Sequence, residues 1–298
     1  MQSEANDLRT GPRFSEKIDR HEWSQLGQQR YVQEYVNRLK PVIITGALEH
    51  WPARNKWTFD FFQSHHGDLP LEIDGRHLSM GQLIAEVEAS TPRVPAPYLH
   101  NHLIKHLPEA LQADVVPSPS CTAPNWLEHP LVSARWSLTF PELFIGGKGA
   151  RFPVLHYDGL HTHAFLMQIQ GVKEYVGFAP DQTPYMYCRS GSGQSNISDI
   201  DDMENWDTNR FALFASATGV RFKLHPGETL FMPSGWWHTA RILSPSITIS
   251  VNGANAANWC AFREDFCRYY IVGGRVPPWL INAYLLLVGK CLSLFARY

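Results

Sequence analysis

The chain has 298 residues, 44% of them hydrophobic and 18% charged, with a formal net charge of −2. Its 26 Lys and Arg against 28 Asp and Glu form no basic block, so the charge pattern gives no support to nucleic-acid binding. The five cysteines are scattered without a C-x-x-C pair, which argues against a zinc ribbon and against a disulfide framework.

The first 40 residues form a predicted polar, partly helical lead-in. Their start, "MQSEANDLRTGPRFSEKIDR", has no apolar segment of the kind that a secretory signal peptide needs, so we expect a cytoplasmic protein. A main domain over residues 41–255 and a helical region over residues 256–298 are predicted to follow.

The main domain begins with alternating strands and helices and continues as short strands. Val42–Thr45 is a predicted strand before a glycine turn and an aromatic helix, and "LPLEID" and "MGQLIAEVEAS" predict a further strand and helix. Between residues 130 and 255 the clearest strand candidates are "RFPVLHYD", "AFLMQIQG", "KEYVGFAP", "GVRFKLHPGETLFMP", "WWHTARIL" and "SITISVN". Many short strands without alternating long helices predict an all-β barrel or sandwich.

The segment "HYDGLHTH" holds three histidines and one aspartate within eight residues. In an extended strand the side chains at i and i+2 point the same way, so His156 and Asp158 converge on one face. His238, at the start of a later strand after "PSGWW", can meet this pair if the barrel closes. Two imidazoles and one carboxylate on one face of a metal form the facial triad of non-haem Fe(II) oxygenases.

Four stretches resemble the JmjC-type, cupin-like hydroxylases, from about residue 41 to 252: "PVIITGALEHWPARNKW", "PYLHNHL", "LHYDGLHTHAFLMQIQGVKEYVGFAP" and "HPGETLFMPSGWWHTARIL…ITISVN". The H-x-D pair, a Q-x-x-G-x-K pattern and G-E-x-L-F-x-P-x-x-W-W-H occur in the family's order. The resemblance implies a mainly β fold, with a double-stranded β-helix (cupin or jelly-roll) core, N-terminal α/β decoration and C-terminal helices. It makes residues 41–255 the catalytic domain, which binds Fe(II), 2-oxoglutarate and O2.

The resemblance also implies roles for single residues. The implied iron ligands and catalytic residues are His156, Asp158 and His238. A dicarboxylate that enters a barrel needs a cationic partner to offset its desolvation, and the resemblance gives this role to Lys173. The other implied co-substrate contacts are Tyr98, at the same distal carboxylate, and Thr162 and Asn252, where the family often has amide side chains.

Pro153 departs from the family's pattern. The family usually has Ser or Thr at this position, three residues before the first ligand, to help hold 2-oxoglutarate. Proline donates no hydrogen bond, so another group has to replace it. His161 and His163 lie beyond the glycine turn, and we expect them to be packed or exposed histidines and not metal ligands.

The resemblance implies an Fe(II)- and 2-oxoglutarate-dependent dioxygenase that hydroxylates a C–H bond of a large substrate, by default a polypeptide side chain. Asp158 favours hydroxylation over halogenation, because a halogenase leaves out the carboxylate to make room for chloride. Demethylation ranks lower, since demethylases of the family tend to carry H-x-E and attached chromatin modules. The alternative from another class is a cupin-fold binding protein without turnover.

Two interpretations stay open for the C-terminal segment "RVPPWLINAYLLLVGKCLSLFARY". Pro277 and Pro278 predict the start of a helix, and 15 of the 20 residues that follow them are apolar or aromatic. The helix either packs against the barrel or a second copy, which makes a homodimer, or lies on the inner face of a membrane. In the second case Lys290 and Arg297 would lie near lipid head groups.

If the helix lies on a membrane surface, a second class of substrate has to be considered. Bacterial oxygenases with the same H-x-D…H pattern hydroxylate the Kdo sugar of lipopolysaccharide, a glycolipid, at the inner-membrane surface. The arginines near the predicted strands that could receive such an acidic sugar are Arg135, Arg151, Arg189, Arg210 and Arg241. They could equally be ordinary surface charges.

Overall fold

The computed structural model describes residues 11–134, 136, 140–189, 195–269 and 276–295. Two residues named above, Arg135 and Arg297, lie outside these ranges. The strands are β1 (Arg13–Ser15), β2 (Asp19–Glu22), β3 (Val42–Thr45), β4 (Pro70–Ile73), β5 (Arg76–Ser79), β6 (Leu99–Leu103), β7 (Glu142–Gly146), β8 (His163–Gln170), β9 (Lys173–Phe178), β10 (Thr218–Leu224), β11 (Thr229–Met232), β12 (Trp237–Ile242) and β13 (Ser246–Gly253).

The α-helices lie in the chain before and after the run of strands β7–β13. They are α1 (Trp23–Leu26), α2 (Gln28–Tyr31), α3 (Ala53–Lys56), α4 (Phe59–His66), α5 (Met80–Ala89), α6 (Glu109–Ala113), α7 (Pro130–Ser133), α8 (Trp259–Tyr269) and α9 (Pro278–Phe295), with a π-helix at Val32–Val36. Helix α5 begins at a capping box, in which the Ser79 hydroxyl accepts from the Gln82 amide and the Gln82 side chain accepts from the Ser79 amide.

Two sheets form the core. The larger has the order β2-β3-β11-β8-β13-β7-β6 and the smaller β1-β10-β9-β12, while β4 and β5 pair separately. Strand β8 leads through a tight turn directly into β9, so this turn joins the two sheets. This sheet-rich core with C-terminal helices confirms the predicted cupin or jelly-roll fold.

The larger sheet presents alternate residues to its two sides, as strand geometry requires. On one side Leu143 and Ile145 of β7 join the largest apolar cluster together with helix residues such as Phe62 and Leu83. The opposite side of β7, β8 and β13 lines a pocket inside the barrel, with the residues Glu142, Phe144, Ala164, Leu166, Ser250 and Asn252. The helices on the outer face therefore leave the inner face to the functional site.

One local prediction was incomplete and another was wrong. The lead-in contains strands as well as helices, because β1 and β2 pair in parallel with β10 and β3. Residues 151–158 form no regular strand: the segment pairs with β12 only in part, through Phe152 to Ala240 and His156 to His238. Pro153 lies between these pairs and cannot donate to a ladder, so the pairing is interrupted there. The domain boundaries stay predictions.

The predicted C-terminal helix is present as α9. Its residues Leu285, Val288 and Leu292 are buried in an apolar cluster with Trp259 and Phe262 of α8. Packing against the body of the protein was one of the two interpretations of this segment, while contact with a second copy or a membrane surface stays a prediction. Within the described ranges, no helix combines the length and the apolar content needed to cross a membrane.

The β8–β9 turn depends on glycine. Gly171 has a φ of +73°, and a Cβ built on it would lie 1.9 Å from the Pro245 carbonyl oxygen. We expect Gly171→Ala to lower the free energy of unfolding by about 2–5 kcal/mol, from left-handed strain and a steric clash together. The matched control is Gly75→Ala, with a φ of +77° in open space, which should lose roughly 1–2 kcal/mol. Equal losses in urea denaturation of the two variants would contradict the proposed clash.

Candidate metal centre

Backbone pairing brings His156 and His238 together. The His156 amide donates to the His238 carbonyl at 3.1 Å, and the His238 amide donates to the His156 carbonyl at 2.6 Å. The two imidazole rings then lie with centroids 4.5 Å apart. These bonds hold two segments that are distant in sequence side by side, at the first residues of β12 in the smaller sheet.

Neighbouring carbonyls set the tautomers of both rings. The Nδ1 of His156 lies 3.2 Å from the Val154 carbonyl, and the Nδ1 of His238 lies 2.9 Å from the Trp236 carbonyl. A carbonyl oxygen only accepts hydrogen bonds, so each Nδ1 carries the proton and each Nε2 keeps a free lone pair. Both rings are therefore prepared to bind a metal through Nε2.

Asp158 completes the group. Its Oδ2 lies 3.7 Å from His238 Nε2, and the ligand atoms of His156, Asp158 and His238 all lie within 4.8 Å of one another. Burial lowers the pKa of His156 to about 3, with the neighbouring His238 as a second cause, so this imidazole is neutral at physiological pH. Burial also raises the pKa of the Asp158 carboxyl. The set of two imidazole nitrogens and one carboxylate oxygen fits a ferrous ion.

Lys173 lies deeper in the same pocket. It is 2% exposed, its Nζ donates to the Tyr98 hydroxyl at 3.0 Å, and the Tyr98 and Phe144 rings lie 5.3 and 5.4 Å from it. Within the described ranges, no carboxylate lies within 4.0 Å of this ammonium group. Burial lowers the pKa of Lys173 to about 7. A buried cation that lacks a counter-charge fits the distal carboxylate of 2-oxoglutarate.

The other predicted co-substrate residues differ in position. Asn252 lines the pocket with the triad, Tyr98 and Lys173. Thr162 is buried, but its hydroxyl donates to the Gly159 carbonyl at 3.1 Å and it is not among the pocket's lining residues. The structure therefore gives no support to contact between Thr162 and 2-oxoglutarate.

The histidines beyond the glycine turn lie outside the triad, as expected. His161 Nδ1 lies 2.5 Å from Asp265 Oδ2 on α8. His163 is buried, accepts from the Ser234 amide through Nδ1 and contacts Asn255. Pro153 is exposed and lines a different pocket, on the outer face of the smaller sheet. Ser250 is the inward-facing hydroxyl of β13 that could replace the missing Ser or Thr.

The arginines considered for an acidic sugar are paired with acids wherever the structure describes them. Arg151 contacts Asp202 and Glu204, and Arg241 contacts Glu174 and Glu204. Arg189 and Arg210 share Asp199, and Arg189 also contacts Asp201. These four guanidinium groups therefore have carboxylate partners already.

Comparison with known proteins assigns the chain to a family. The family model of the cupin-like domain matches residues 28–253 of the sequence. The chain belongs to this family. The predicted resemblance to JmjC-type, cupin-like enzymes is confirmed, and the predicted cofactors, Fe(II), 2-oxoglutarate and O2, are those of JmjC demethylases. The His156, Asp158 and His238 group of this cupin-like domain could hold the iron.

Several named relatives share most of the domain. The chain is 26% identical over 233 residues to lysine-specific demethylase 8 of Xenopus tropicalis. The matched stretch covers 74% of this chain and 50% of that relative. Jumonji C domain-containing protein 5 of Drosophila melanogaster is 27% identical over 227 residues (71% and 54%). Arginine-specific demethylase JMJ22 of Arabidopsis thaliana is 24% identical over 246 residues (76% and 44%). The chain thus matches about half the length of these relatives.

Several residues that line the pocket of this cupin-like domain were not predicted from the sequence. They are Asn101 before the end of β6, Glu142 at the start of β7, Tyr175 on β9 and Ser250 on β13. Alternation along "ELFIG" could have placed Glu142 on the face of Phe144, opposite Leu143. Burial, with the Asp158 charge as a second cause, raises the pKa of Glu142 to about 7.

Loss of the carboxylate ligand should abolish metal binding. We expect Asp158→Ala to weaken Mn(II) binding by more than about 100-fold, since outer contacts to ligands alone typically contribute 10–100-fold. The control is Asp60→Ala, an exposed aspartate of α4, which should bind like the wild type. Electron paramagnetic resonance of free Mn(II) measures both. Wild-type affinity in Asp158→Ala would contradict the assignment of this ligand.

The buried lysine predicts a pH dependence. With the pKa of Lys173 lowered to about 7, the ammonium form that binds a dicarboxylate predominates below pH 7 and is lost as the pH rises. We expect the affinity of the Mn(II)-loaded protein for 2-oxoglutarate to fall about tenfold from pH 6 to pH 8. In Lys173→Arg, which stays charged, the fall should be clearly smaller, because only the titration of Glu142 in the same pocket remains over this range. Calorimetric titration that shows the same profile for both proteins would contradict the role of Lys173.

Proposed function

We propose that the chain is an Fe(II)- and 2-oxoglutarate-dependent dioxygenase that hydroxylates a C–H bond of a polypeptide side chain. One observation carries the proposal: a His-Asp-His group and a buried, uncompensated lysine line the same pocket inside the barrel. When bound, iron and 2-oxoglutarate supply the oxidative decarboxylation of 2-oxoglutarate by O2 to succinate and CO2, with one oxygen atom passed to the substrate.

Different residues of the pocket would bind the metal, bind the co-substrate and exclude water. His156, Asp158 and His238 would hold the metal on one side, which leaves the other side open to co-substrate and O2. Lys173 and Tyr98 would hold the distal carboxylate of 2-oxoglutarate at the base of the pocket. The apolar residues Phe144, Phe152 and Leu166 also line the pocket and would exclude water from the reacting atoms.

A polypeptide substrate has support from the relatives' names. Two of the relatives are named as lysine-specific and arginine-specific demethylases, which implies that they act on side chains of proteins. Because of these names, demethylation is the second candidate reaction after stable hydroxylation, although the H-x-D pattern made it less expected. The two reactions share one chemistry, because hydroxylation of an N-methyl group is followed by release of formaldehyde.

The glycolipid alternative has less support. None of the three relatives has a name that points to a saccharide, and the four described arginines near the strands are paired with acids. A cytoplasmic location, a homodimer and peripheral contact of α9 with a membrane stay predictions.

Turnover separates the enzyme from a binding protein. We expect the wild-type chain with Fe(II) to release succinate from 2-oxoglutarate, and His238→Ala to lose more than about 100-fold in rate because a metal ligand is gone. The control is His77→Ala, an exposed histidine of β5, which should keep the wild-type rate. Equal succinate release by wild type and His238→Ala would overturn the proposal. Formaldehyde release from methylated peptides then distinguishes demethylation from stable hydroxylation.

A further inference from the structure

Glu142 is an acidic side chain inside the pocket that neither the triad nor the co-substrate contacts use. It begins β7, pairs in register with Ser250 of β13, and lies two residues before Phe144 on the same side of the strand. It lines the pocket together with His156, Asp158, His238 and Lys173. Phe144 lies close to Lys173, so Glu142 is displaced from Lys173 by one inward-facing position along β7.

The carboxylate of Glu142 has no counter-charge of its own. Among the described residues, no Lys, Arg or His nitrogen lies within 4.0 Å of it, whereas the other acid of this pocket, Asp158, has His238 beside it. The raised pKa of Glu142, about 7, reflects burial and the nearby Asp158. Even a half-buried carboxylate without a cation carries a desolvation cost, so its presence in a functional pocket calls for an explanation.

The charges of the loaded site leave Glu142 unbalanced. This step rests on the proposed function. Fe(II) and the Lys173 ammonium bring three positive charges, and Asp158 and the two carboxylates of 2-oxoglutarate bring three negative ones. The loaded pocket is therefore neutral without Glu142 and carries one negative charge with it, which a cationic substrate group would neutralise.

Glu142 also lies toward the side from which a substrate can enter. It is paired in register with Leu103 at the end of β6, and Asn101 of the same strand lines the pocket while being exposed to solvent. Asn101 itself lies between the pairs Leu99–Ile145 and His102–Leu143, next to Phe144 and one inward position from Glu142. Glu142 is only half-buried, whereas Lys173 is buried, so a side chain that enters from solvent meets the Glu142 carboxylate before it reaches Lys173.

We propose that Glu142 is a specificity-determining residue that receives the cationic group of a lysine or arginine side chain of the polypeptide substrate. An ionised Glu142 would pair with one ammonium or guanidinium group, the kind of charge-assisted hydrogen bond that discriminates strongly against a neutral side chain of the same shape. Selection for a polar but uncharged side chain is the competing outcome of the test.

The test uses pools of short random peptides with a fixed central residue: lysine, arginine, or their neutral counterparts norleucine and citrulline. The readout is succinate release above the peptide-free rate, with oxidised peptide confirmed by mass spectrometry. For the wild type we expect the lysine or the arginine pool to exceed its neutral counterpart by about 10- to 100-fold, as for a hydrogen bond to a charged group. Equal stimulation by charged and neutral pools, or none by any, overturns the proposal.

Variants assign the preference to Glu142. In Glu142→Gln the ratio of charged to neutral pool should fall close to one, whereas Glu142→Asp, which keeps the carboxylate, should retain a preference for the charged pool. The control Glu72→Gln changes an exposed glutamate of β4 and should retain the wild-type ratio. Each ratio compares two pools on the same protein, so a general loss of activity cancels. A wild-type ratio in Glu142→Gln overturns the proposal.

A second measurement needs neither a variant nor turnover. In the wild type loaded with Mn(II) and 2-oxoglutarate, the paramagnetic ion should broaden the ε-methylene protons of lysine peptides and leave norleucine peptides sharp. Equal broadening of both contradicts the role of Glu142. Failure of the proposed function is distinguished by the peptide-free wild type: without succinate release or Mn(II) binding, the oxygenase assignment itself is wrong.

Discussion

The reciprocal backbone hydrogen bonds between His156 and His238 are the contact on which the site depends. They join an irregular segment to the first residues of β12 and set the two imidazole rings side by side. Carbonyls two residues before each histidine then fix the tautomer, which leaves both Nε2 atoms free to bind a metal, and His238 Nε2 lies 3.7 Å from Asp158. Without this pairing His238 would be separated from His156 and Asp158, which lie on one segment.

The second constraint is electrostatic. One pocket of the barrel interior holds the buried Lys173 and the half-buried Glu142 and Asp158. Desolvation there lowers the pKa of the lysine and raises the pKa values of both acids. Such groups are costly in an otherwise apolar interior unless ligands compensate them. A divalent metal and a dicarboxylate supply that compensation for Asp158 and Lys173, and the proposed cationic substrate supplies it for Glu142.

The sequence predicted the fold and the triad because both leave local patterns: dense short strands, H-x-D, and a histidine after "GWW". It failed where the outcome depends on pairing between distant segments. The i, i+2 rule for strands correctly placed His156 and Asp158 on one side. The strand that the rule assumes is, however, interrupted at Pro153. The arginines are paired with acids that only the fold brings near. The Thr162 hydroxyl donates within its own turn, and its contact with 2-oxoglutarate stays a prediction. Glu142 lies on a strand that was not among the predicted ones, and it is the pairing of β7 with β13 that places it beside Ser250 in the pocket.

The most direct test of the account is a crystal structure with Mn(II) and 2-oxoglutarate, with the metal located by its anomalous signal. The account predicts one strong peak bonded to the Nε2 atoms of His156 and His238 and to an Asp158 oxygen, with the distal carboxylate of 2-oxoglutarate on Lys173 and Tyr98. An anomalous map without a peak among these three side chains, or a dicarboxylate bound away from Lys173, would contradict it.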